Sequence, residues 1–183
     1  MSRIKRLIQS YGKYISVPWR TDAAAAQRVI FCVYNENDER MMRAQTEEFE
    51  LVTKEAGYGW LLFDLTDTFP EWLILQRYSL RYFENPDLLP TLLGRYMEHL
   101  VDTFSEFLRQ RCSEENTVVA LKGVGTLFGF LKVKDLVDKL SPLVKGRLLV
   151  FFPGSCENDN YRLLDGYDGW NYLAVTITED KEW

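Results

Sequence analysis

The chain of 183 residues is 46% hydrophobic and 27% charged, a composition that excludes intrinsic disorder over most of its length. Its net charge of −5 argues against a general nucleic-acid-binding surface, and its apolar runs are too short for a membrane-spanning helix or a secretory leader. We therefore expect a single cytoplasmic domain over residues 1–183.

A basic amphipathic helix is predicted at the amino terminus, over residues 1–15. Apolar residues recur there at helical spacing, while Arg3, Lys5 and Arg6 fall on the other face. The first 20 residues contain five basic residues and no acidic one, which leaves 17 basic against 27 acidic residues in the rest of the chain. Two interpretations stay open. The helix packs its apolar stripe on the domain, or it docks on an acidic partner or a lipid surface.

Two parallel strands joined by a helix are predicted next. Residues 28–34, with the sequence RVIFCVY, form a continuous apolar run of strand-forming types, as expected for a central strand covered on both faces. A helix over residues 38–56 follows and ends at Gly57, and residues 60–65 form the next strand. These lengths fit a right-handed β-α-β unit.

The middle of the chain, residues 66–112, is predicted to be mainly helical, with interruptions at Asn85-Pro86 and Pro90. After Pro90, apolar residues recur at every third or fourth position over about 20 residues, which predicts a helix with one face in the core. His99, the only histidine, lies on this helix without a second metal ligand or a nucleophile at a useful spacing. We interpret it as structural.

A second β-α-β unit spans residues 117–154. The runs at residues 117–122 and 147–152 are apolar and β-branched, are bounded by glycine, and are separated by a helix-length segment. Together with the first unit, they predict an α/β fold over residues 28–177, a mainly parallel open sheet with helices on both faces. Such a fold is a three-layer sandwich of the Rossmann-like or degenerate P-loop-like kind.

The loop at residues 123–129 follows a strand of this sheet, where α/β domains often bind ligands. Its glycines miss the dinucleotide fingerprint by one residue, with Phe128 where the third glycine belongs, and the P-loop lysine-serine pair is missing. Asp64 resembles a magnesium-positioning acid, but that role requires the missing pair. We interpret Gly123, Gly125 and Gly129 as a sharp turn from strand to helix. An atypical nucleotide-binding or nucleotide-hydrolysing loop stays open as the alternative.

The carboxyl-terminal region combines short strands with clustered aromatic residues. Residues 161–164 and 172–177 are predicted strands of a terminal hairpin or sheet edge, joined by a turn-rich loop over residues 165–169. The aromatic residues there are either a binding hot spot or the closure of one end of the sheet: Tyr167, Trp170 and Tyr172.

No metal, cofactor or catalytic site is predicted. Asp165 and Asp168 lack the alternating oxygen ligands of a calcium loop, and we interpret them as turn residues. The three cysteines are far apart and make no pair at zinc spacing, so they are interpreted as free thiols: Cys32, Cys112 and Cys156.

Four segments in the second half of the chain resemble one protein family. They are ALKGVGTLFGFLKV at residues 120–133, LVFFPG at residues 149–154, YRLL at residues 161–164 and WNYLA at residues 170–174. In this combination they resemble the BrxB family, the small component of BREX bacteriophage-exclusion systems. An amino-terminal helix and a mid-chain FDL strand also fit, so the resemblance spans the chain. One departure is Lys134, near the predicted helix start at Val133, where a small capping residue is expected.

The resemblance implies a non-secreted bacterial antiviral defence protein that works beside a large ATPase, a DNA methyltransferase and PglZ, which has an alkaline-phosphatase-like domain. It supplies no catalytic residues. We therefore expect a non-catalytic adaptor that binds another BREX component, with PglZ as the leading partner and no membrane partner. The residues proposed for this contact are Arg3, Arg6, Tyr167, Trp170 and Tyr172. A nucleotide-binding enzyme that uses residues 123–129 is the alternative, and direct nucleic-acid binding by the basic helix is a weaker third hypothesis because the remaining chain is acidic.

Overall fold

A computed structural model describes residues 1–170 and 173–181, and its centre is a seven-stranded sheet. The strands are β1 (Val29–Tyr34), β2 (Gly59–Asp64), β3 (Thr117–Lys122), β4 (Arg147–Glu157), β5 (Asn160–Leu163), β6 (Gly166–Trp170) and β7 (Val175–Ile177). Five of them lie in the order β2-β3-β4-β1-β7, and each neighbouring pair in this order is parallel. The predicted α/β class and the four predicted parallel strands are confirmed.

Strand β4 occupies the middle of the sheet and has neighbours on both sides. Val150 pairs with Phe31 on β1 and with Leu121 on β3, and residues 147–154 are all buried. A strand that is paired on both sides and covered on both faces needs a continuous apolar run, which explains why β4 does not alternate. Its last four residues instead pair antiparallel with β5, so β4 also starts a separate hairpin.

Helices α1 (Arg3–Ile15), α2 (Glu39–Ala44) and α3 (Thr46–Glu55) lie on one face of the sheet. The apolar stripe of α1 is buried there: Ile4, Leu7, Ile8, Tyr11 and Ile15. Inside this layer the Tyr11 hydroxyl and the Thr53 hydroxyl are hydrogen-bonded at 2.6 Å, so the polar end of a buried ring is satisfied. The basic helix therefore packs on the domain, in agreement with the first of its two interpretations.

The other face is covered by α4 (Thr68–Ile74), α5 (Ser79–Glu84), α6 (Leu93–Gln110) and α7 (Val133–Leu140). The stripe of α6 is buried as its spacing predicts: Tyr96, Met97, Leu100, Phe104 and Leu108. Phe63 on β2 meets Phe104 edge-on, with ring centroids 5.2 Å apart. Apolar clusters on both faces of the sheet thus give the predicted three layers.

The predicted single helix over residues 38–56 is wrong. It is divided into α2 and α3 by Gln45, whose backbone angles of −109° and 12° are not helical. At this break the Thr46 hydroxyl donates to the carbonyls of Met42 and Arg43 at 3.1 and 3.3 Å, and so satisfies carbonyl groups at the end of α2. The predicted end at Gly57 is confirmed, since this glycine has a φ of +89°.

The two predicted carboxyl-terminal strands are confirmed in part, as β5 and β7, and β7 lies at the predicted sheet edge, but the predicted loop between them is wrong. Residues 165–169, predicted as a loop, belong mainly to β6, which pairs antiparallel with β5. The other predicted strand begins at Val175 as β7 and adds to β1 in parallel, while residues 171 and 172 lie outside the described part of the chain. Asp168 and Gly169 are types common in turns, but both are buried, and tertiary contacts rather than local preference decide their conformation.

Candidate functional site

Polar side chains join the carboxyl ends of β1 and β2. Arg43 on α2 donates to Glu39 Oε1 at 2.7 Å and to Thr66 Oγ1 at 3.3 Å, and Tyr34 at the end of β1 donates to the other Glu39 oxygen. Burial, together with the hydrogen bond to Glu39, raises the pKa of the Tyr34 hydroxyl, which therefore remains a neutral donor. In this part of the network, the Glu39 carboxylate is paired with the Arg43 guanidinium.

Asp64, at the end of β2, extends this network to β3. Its carboxylate accepts from Thr66 N at 2.9 Å and from Thr66 Oγ1 at 2.5 Å, and it lies 3.4 Å from Lys122 Nζ. Partial burial alone would raise the pKa of Asp64, but the hydrogen bonds from Thr66 and the charge of Lys122 outweigh it and hold the pKa below its usual value. Asp64 is therefore ionised at neutral pH and already bonded within its own chain, as expected for a loop acid.

The glycine-rich loop at residues 123–129 folds into a short 3-10 turn over Val124–Leu127. Its amides at Thr126 and Phe128 donate to the carbonyls of Gly123 and Gly125, at 3.1 and 3.2 Å, so these amides do not point towards a ligand. Gly123 has a φ of +81°, and a Cβ atom there would lie 2.6 Å from Thr66 Oγ1. This glycine is needed for a tight turn packed on the Asp64 network, which favours the structural interpretation of the loop.

An aromatic groove lies between the β5–β6 hairpin and the segment before α7. Tyr167 is 56% exposed and Phe128 is 44% exposed, and Lys132 Nζ lies 5.7 Å from the centroid of the Tyr167 ring, within cation–π distance. The groove has a volume of about 280 Å³ and includes Leu163 in its wall. Exposed aromatic rings are typical of protein-binding surfaces. We call this surface, defined by Phe128, Lys132 and Tyr167, the Tyr167 groove.

Asp168 fixes the hairpin of this groove to α7. Its two carboxylate oxygens accept hydrogen bonds from the backbone N–H groups of Val133 and Lys134, at 2.8 and 2.9 Å. Lys132, at the capping position itself, makes no side-chain cap. The missing local cap is therefore supplied from β6, and Asp168 is a buried capping residue rather than the turn residue predicted.

Two further aromatic residues, Trp170 and Tyr172, are predicted for this surface. Tyr172 lies outside the described residues. Trp170 ends β6, where its backbone pairs with Asn160. Of the predicted aromatic set, Tyr167 is the member whose side chain the structure places on the surface.

Arg3 and Arg6 are half-exposed on α1, and each faces an acid of its own chain. Arg3 Nε lies 3.4 Å from Asp38 Oδ2, and Arg6 Nη2 lies 3.0 Å from Glu179 Oε2. Helix α1 contacts α3, β1 and β7, whereas β6 contacts α7 on the other side of the sheet. The two predicted binding surfaces therefore lie on different faces of the molecule. The ion pairs partly neutralise the positive charge of the basic surface.

Sequence reasoning missed Phe128 and Lys132 as neighbours of Tyr167. The fingerprint comparison treats Phe128 as a departure from a glycine pattern, although an aromatic residue beside glycine in a loop is itself a signal of exposure. A Cβ atom at Gly166 would come within 2.7 Å of the Phe128 ring, so a glycine is needed there to seat it. The two residues in this contact are 38 positions apart in the sequence, so no local sequence pattern predicts it.

Other candidate chemistry is sparse in the described residues. Within residues 1–170 and 173–181, no three histidine, cysteine or acidic side chains are grouped so that they could hold a metal ion. No helix in the same part of the chain has the length and apolar character needed to cross a membrane. Cys32 is buried, and burial raises the pKa of its thiol, which disfavours the reactive thiolate.

Comparison with known proteins gives one family. A family model described as BREX protein BrxB matches residues 85–177, just over half of the chain. The matched region contains α6, β3, α7, β4 and the β5–β6 hairpin, and so includes the whole Tyr167 groove. No curated protein and no solved structure gives a significant match.

Proposed function

Because the chain belongs to the BrxB family of BREX proteins and is thus a component of a BREX anti-phage system, we propose that it acts there as a non-catalytic adaptor. Its proposed partner is another BREX protein, with PglZ as the leading candidate. The observation that carries the proposal is the Tyr167 groove, where two exposed aromatic rings and a lysine lie together.

The groove has the rigidity that an affinity-determining contact requires. Asp168 ties its hairpin to α7, and the Phe128 ring rests against Gly166. Surfaces fixed in this way lose little conformational entropy on binding, so more of the contact energy appears as affinity. By comparison, the polar network around Asp64 is internally paired and offers no nucleophile or phosphate cradle.

The exposed face of α1 is the proposed encounter surface. Arg3 and Arg6 belong to a segment that is basic in an otherwise acidic chain, and such a field accelerates association with an acidic partner. Their ion pairs with Asp38 and Glu179 reduce this field, so the steering effect should be modest and salt-sensitive. Trp170 and Tyr172 remain proposed members of the affinity surface.

Tyr167→Ala should weaken binding to PglZ by about tenfold or more, mainly through faster dissociation, because it removes a large aromatic contact from the centre of the groove. The melting temperature should change by no more than about 2 °C, since the ring is more than half exposed in the unbound protein. Surface plasmon resonance with immobilised PglZ measures the affinity and the dissociation rate. Thermal melts of the unchanged protein and of the variant measure the melting temperature.

The matched control is Tyr78→Ala, because Tyr78 is also 56% exposed but lies between α4 and α5. This variant should bind PglZ as the unchanged protein does. If Tyr78→Ala lowers the affinity while Tyr167→Ala does not, the binding surface is on the α4–α5 side and the proposed groove is wrong. If no BREX component binds the unchanged protein, the adaptor function itself fails.

Mg-ATP should show no saturable binding, because amides of the 123–129 loop are used internally and Asp64 places a negative charge beside Gly123. Calorimetric titration and a phosphate-release assay test this directly. Micromolar binding that is lost in Gly125→Trp, a substitution that directs a large side chain at Pro153, would favour the nucleotide-binding alternative over the adaptor.

A further inference from the structure

Arg147 is a buried arginine without a carboxylate partner among the described residues. It begins β4, at the amino-terminal edge of the sheet, and only 6% of its surface is exposed. Its Nη2 atom donates to the Arg20 carbonyl at 3.2 Å, and its guanidinium carbon lies 4.9 Å from the centroid of the Trp19 ring. Buried charges in proteins are normally paired, so a carbonyl and an aromatic face leave this cation incompletely compensated.

A second arginine adds to the uncompensated positive charge. The register that pairs Val29 with Leu148 places Arg28 beside Arg147 at the starts of two central strands. Burial lowers the pKa of the Arg147 guanidinium; the Tyr14 hydroxyl opposes this shift and the Arg28 charge adds to it. Arg147 therefore has a like charge nearby, and no carboxylate is among the groups that shift its pKa.

Several N–H donors near this edge have no acceptor. Trp19 Nε1, Arg28 Nε and Arg147 Nε are buried and have no hydrogen-bond acceptor among the described residues. A buried donor without an acceptor is unfavourable, and two of these donors, on Trp19 and Arg147, belong to residues that line one cavity, which indicates a site for an acceptor that carries negative charge.

A cavity lies beside Arg147 and Trp19. It has a volume of about 340 Å³, at the lower end of the range for ligand sites, and its lining also includes Tyr14 and Gln27. Trp19 is held in place by stacking on Tyr58, with ring centroids 3.8 Å apart and planes 3° from parallel. The cation and its aromatic wall are thus fixed before any ligand arrives.

We propose that the cavity beside Arg147 binds an oxyanion, either a phosphate or a carboxylate group, with Arg147 as its principal ligand. A guanidinium presents parallel N–H donors that match two oxygens of such a group. The site lies at the amino-terminal edge of the sheet, opposite the Tyr167 groove, and does not depend on the proposed adaptor function.

The test is thermal unfolding in sodium phosphate, in sodium acetate and in sodium chloride at matched ionic strength and pH. At a concentration about ten times the Kd, the bound oxyanion should raise the melting temperature by roughly 3–6 °C above chloride. A rise with phosphate alone identifies a phosphate site, and a rise with acetate identifies a site for carboxylate. Phosphate also stabilises proteins without binding specifically, so the effect has to be compared between variants.

Arg147→Met should lose at least half of this rise, whereas Arg109→Met, which removes one positive charge from a surface ion pair, should retain it. Arg147→Lys is the second variant, in case the first does not fold. It keeps the charge but loses the paired donors, and its Kd should be at least about fivefold weaker. An equal rise in all variants, or no rise above chloride with either oxyanion, would overturn the proposal.

Discussion

Val150→Asp should abolish stable folding, with a loss of more than about 4 kcal/mol in the free energy of unfolding. Val150 has no exposed surface and lies in the centre of β4, between Phe31 and Leu121. A carboxylate at this position would be removed from water without a cation to pair with. Because a domain of this size is stable by only about 5–15 kcal/mol, one such charge removes much of that margin.

Urea unfolding followed by circular dichroism measures this effect. The matched control is Leu51→Asp, which introduces the same carboxylate on α3 at a leucine that is 57% exposed, and which should cost no more than about 1 kcal/mol. If Val150→Asp unfolds at the same urea concentration as the unchanged protein, β4 is not the buried centre of the sheet.

Asp168→Ala should cost about 2–3 kcal/mol of stability, because it leaves two N–H groups at the start of α7 without an acceptor. Val133 is fully buried, so water cannot replace the lost oxygen there. The same change should weaken PglZ binding, since the hairpin that carries Tyr167 is no longer tied to α7. Hydrogen exchange at the Val133 and Lys134 amides reports the loss of the cap directly.

Two variants serve as controls for this cap. Asp168→Asn keeps one oxygen acceptor and should lose about half as much stability. Asp165→Ala removes an exposed carboxylate from the same hairpin and should lie within about 0.5 kcal/mol of the unchanged protein. Equal stability of Asp168→Ala and Asp165→Ala would show that the cap contributes nothing measurable.

Strands β1 to β4 and helix α6 could be predicted from the sequence because each obeys a local rule. Strands β1, β3 and β4 contain continuous apolar runs because they are covered on both faces, β2 is an apolar run at the edge of the sheet, and α6 has one buried stripe at helical spacing. The match is weaker at Gln45, whose backbone is not helical. This single residue divides what the periodicity predicts as one helix, because the apolar pattern continues across it.

The candidate sites depend on contacts that no local pattern records. Asp168 caps a helix that begins 35 positions earlier in the chain, so its residue type alone indicates a turn. Arg147 precedes the apolar run of β4 at residues 148–152, and its aromatic neighbour Trp19 comes from the amino-terminal third of the chain. Tyr167 is predicted because aromatic residues clustered on a loop can form a binding hot spot, whereas its neighbours Phe128 and Lys132 are brought beside it by the fold.

The position of β1 in the sheet has a consequence for synthesis of the chain. Both strands that flank it, β4 and β7, are translated later, with Val29 paired to Leu148 and Ile30 to Val175. At the usual rates of translation, synthesis of the chain from β1 to β4 takes on the order of ten seconds, and during this time the apolar strand β1 has neither of its partner strands. Over that interval, the RVIFCVY segment is a natural target for a chaperone and a hazard for aggregation between neighbouring nascent chains.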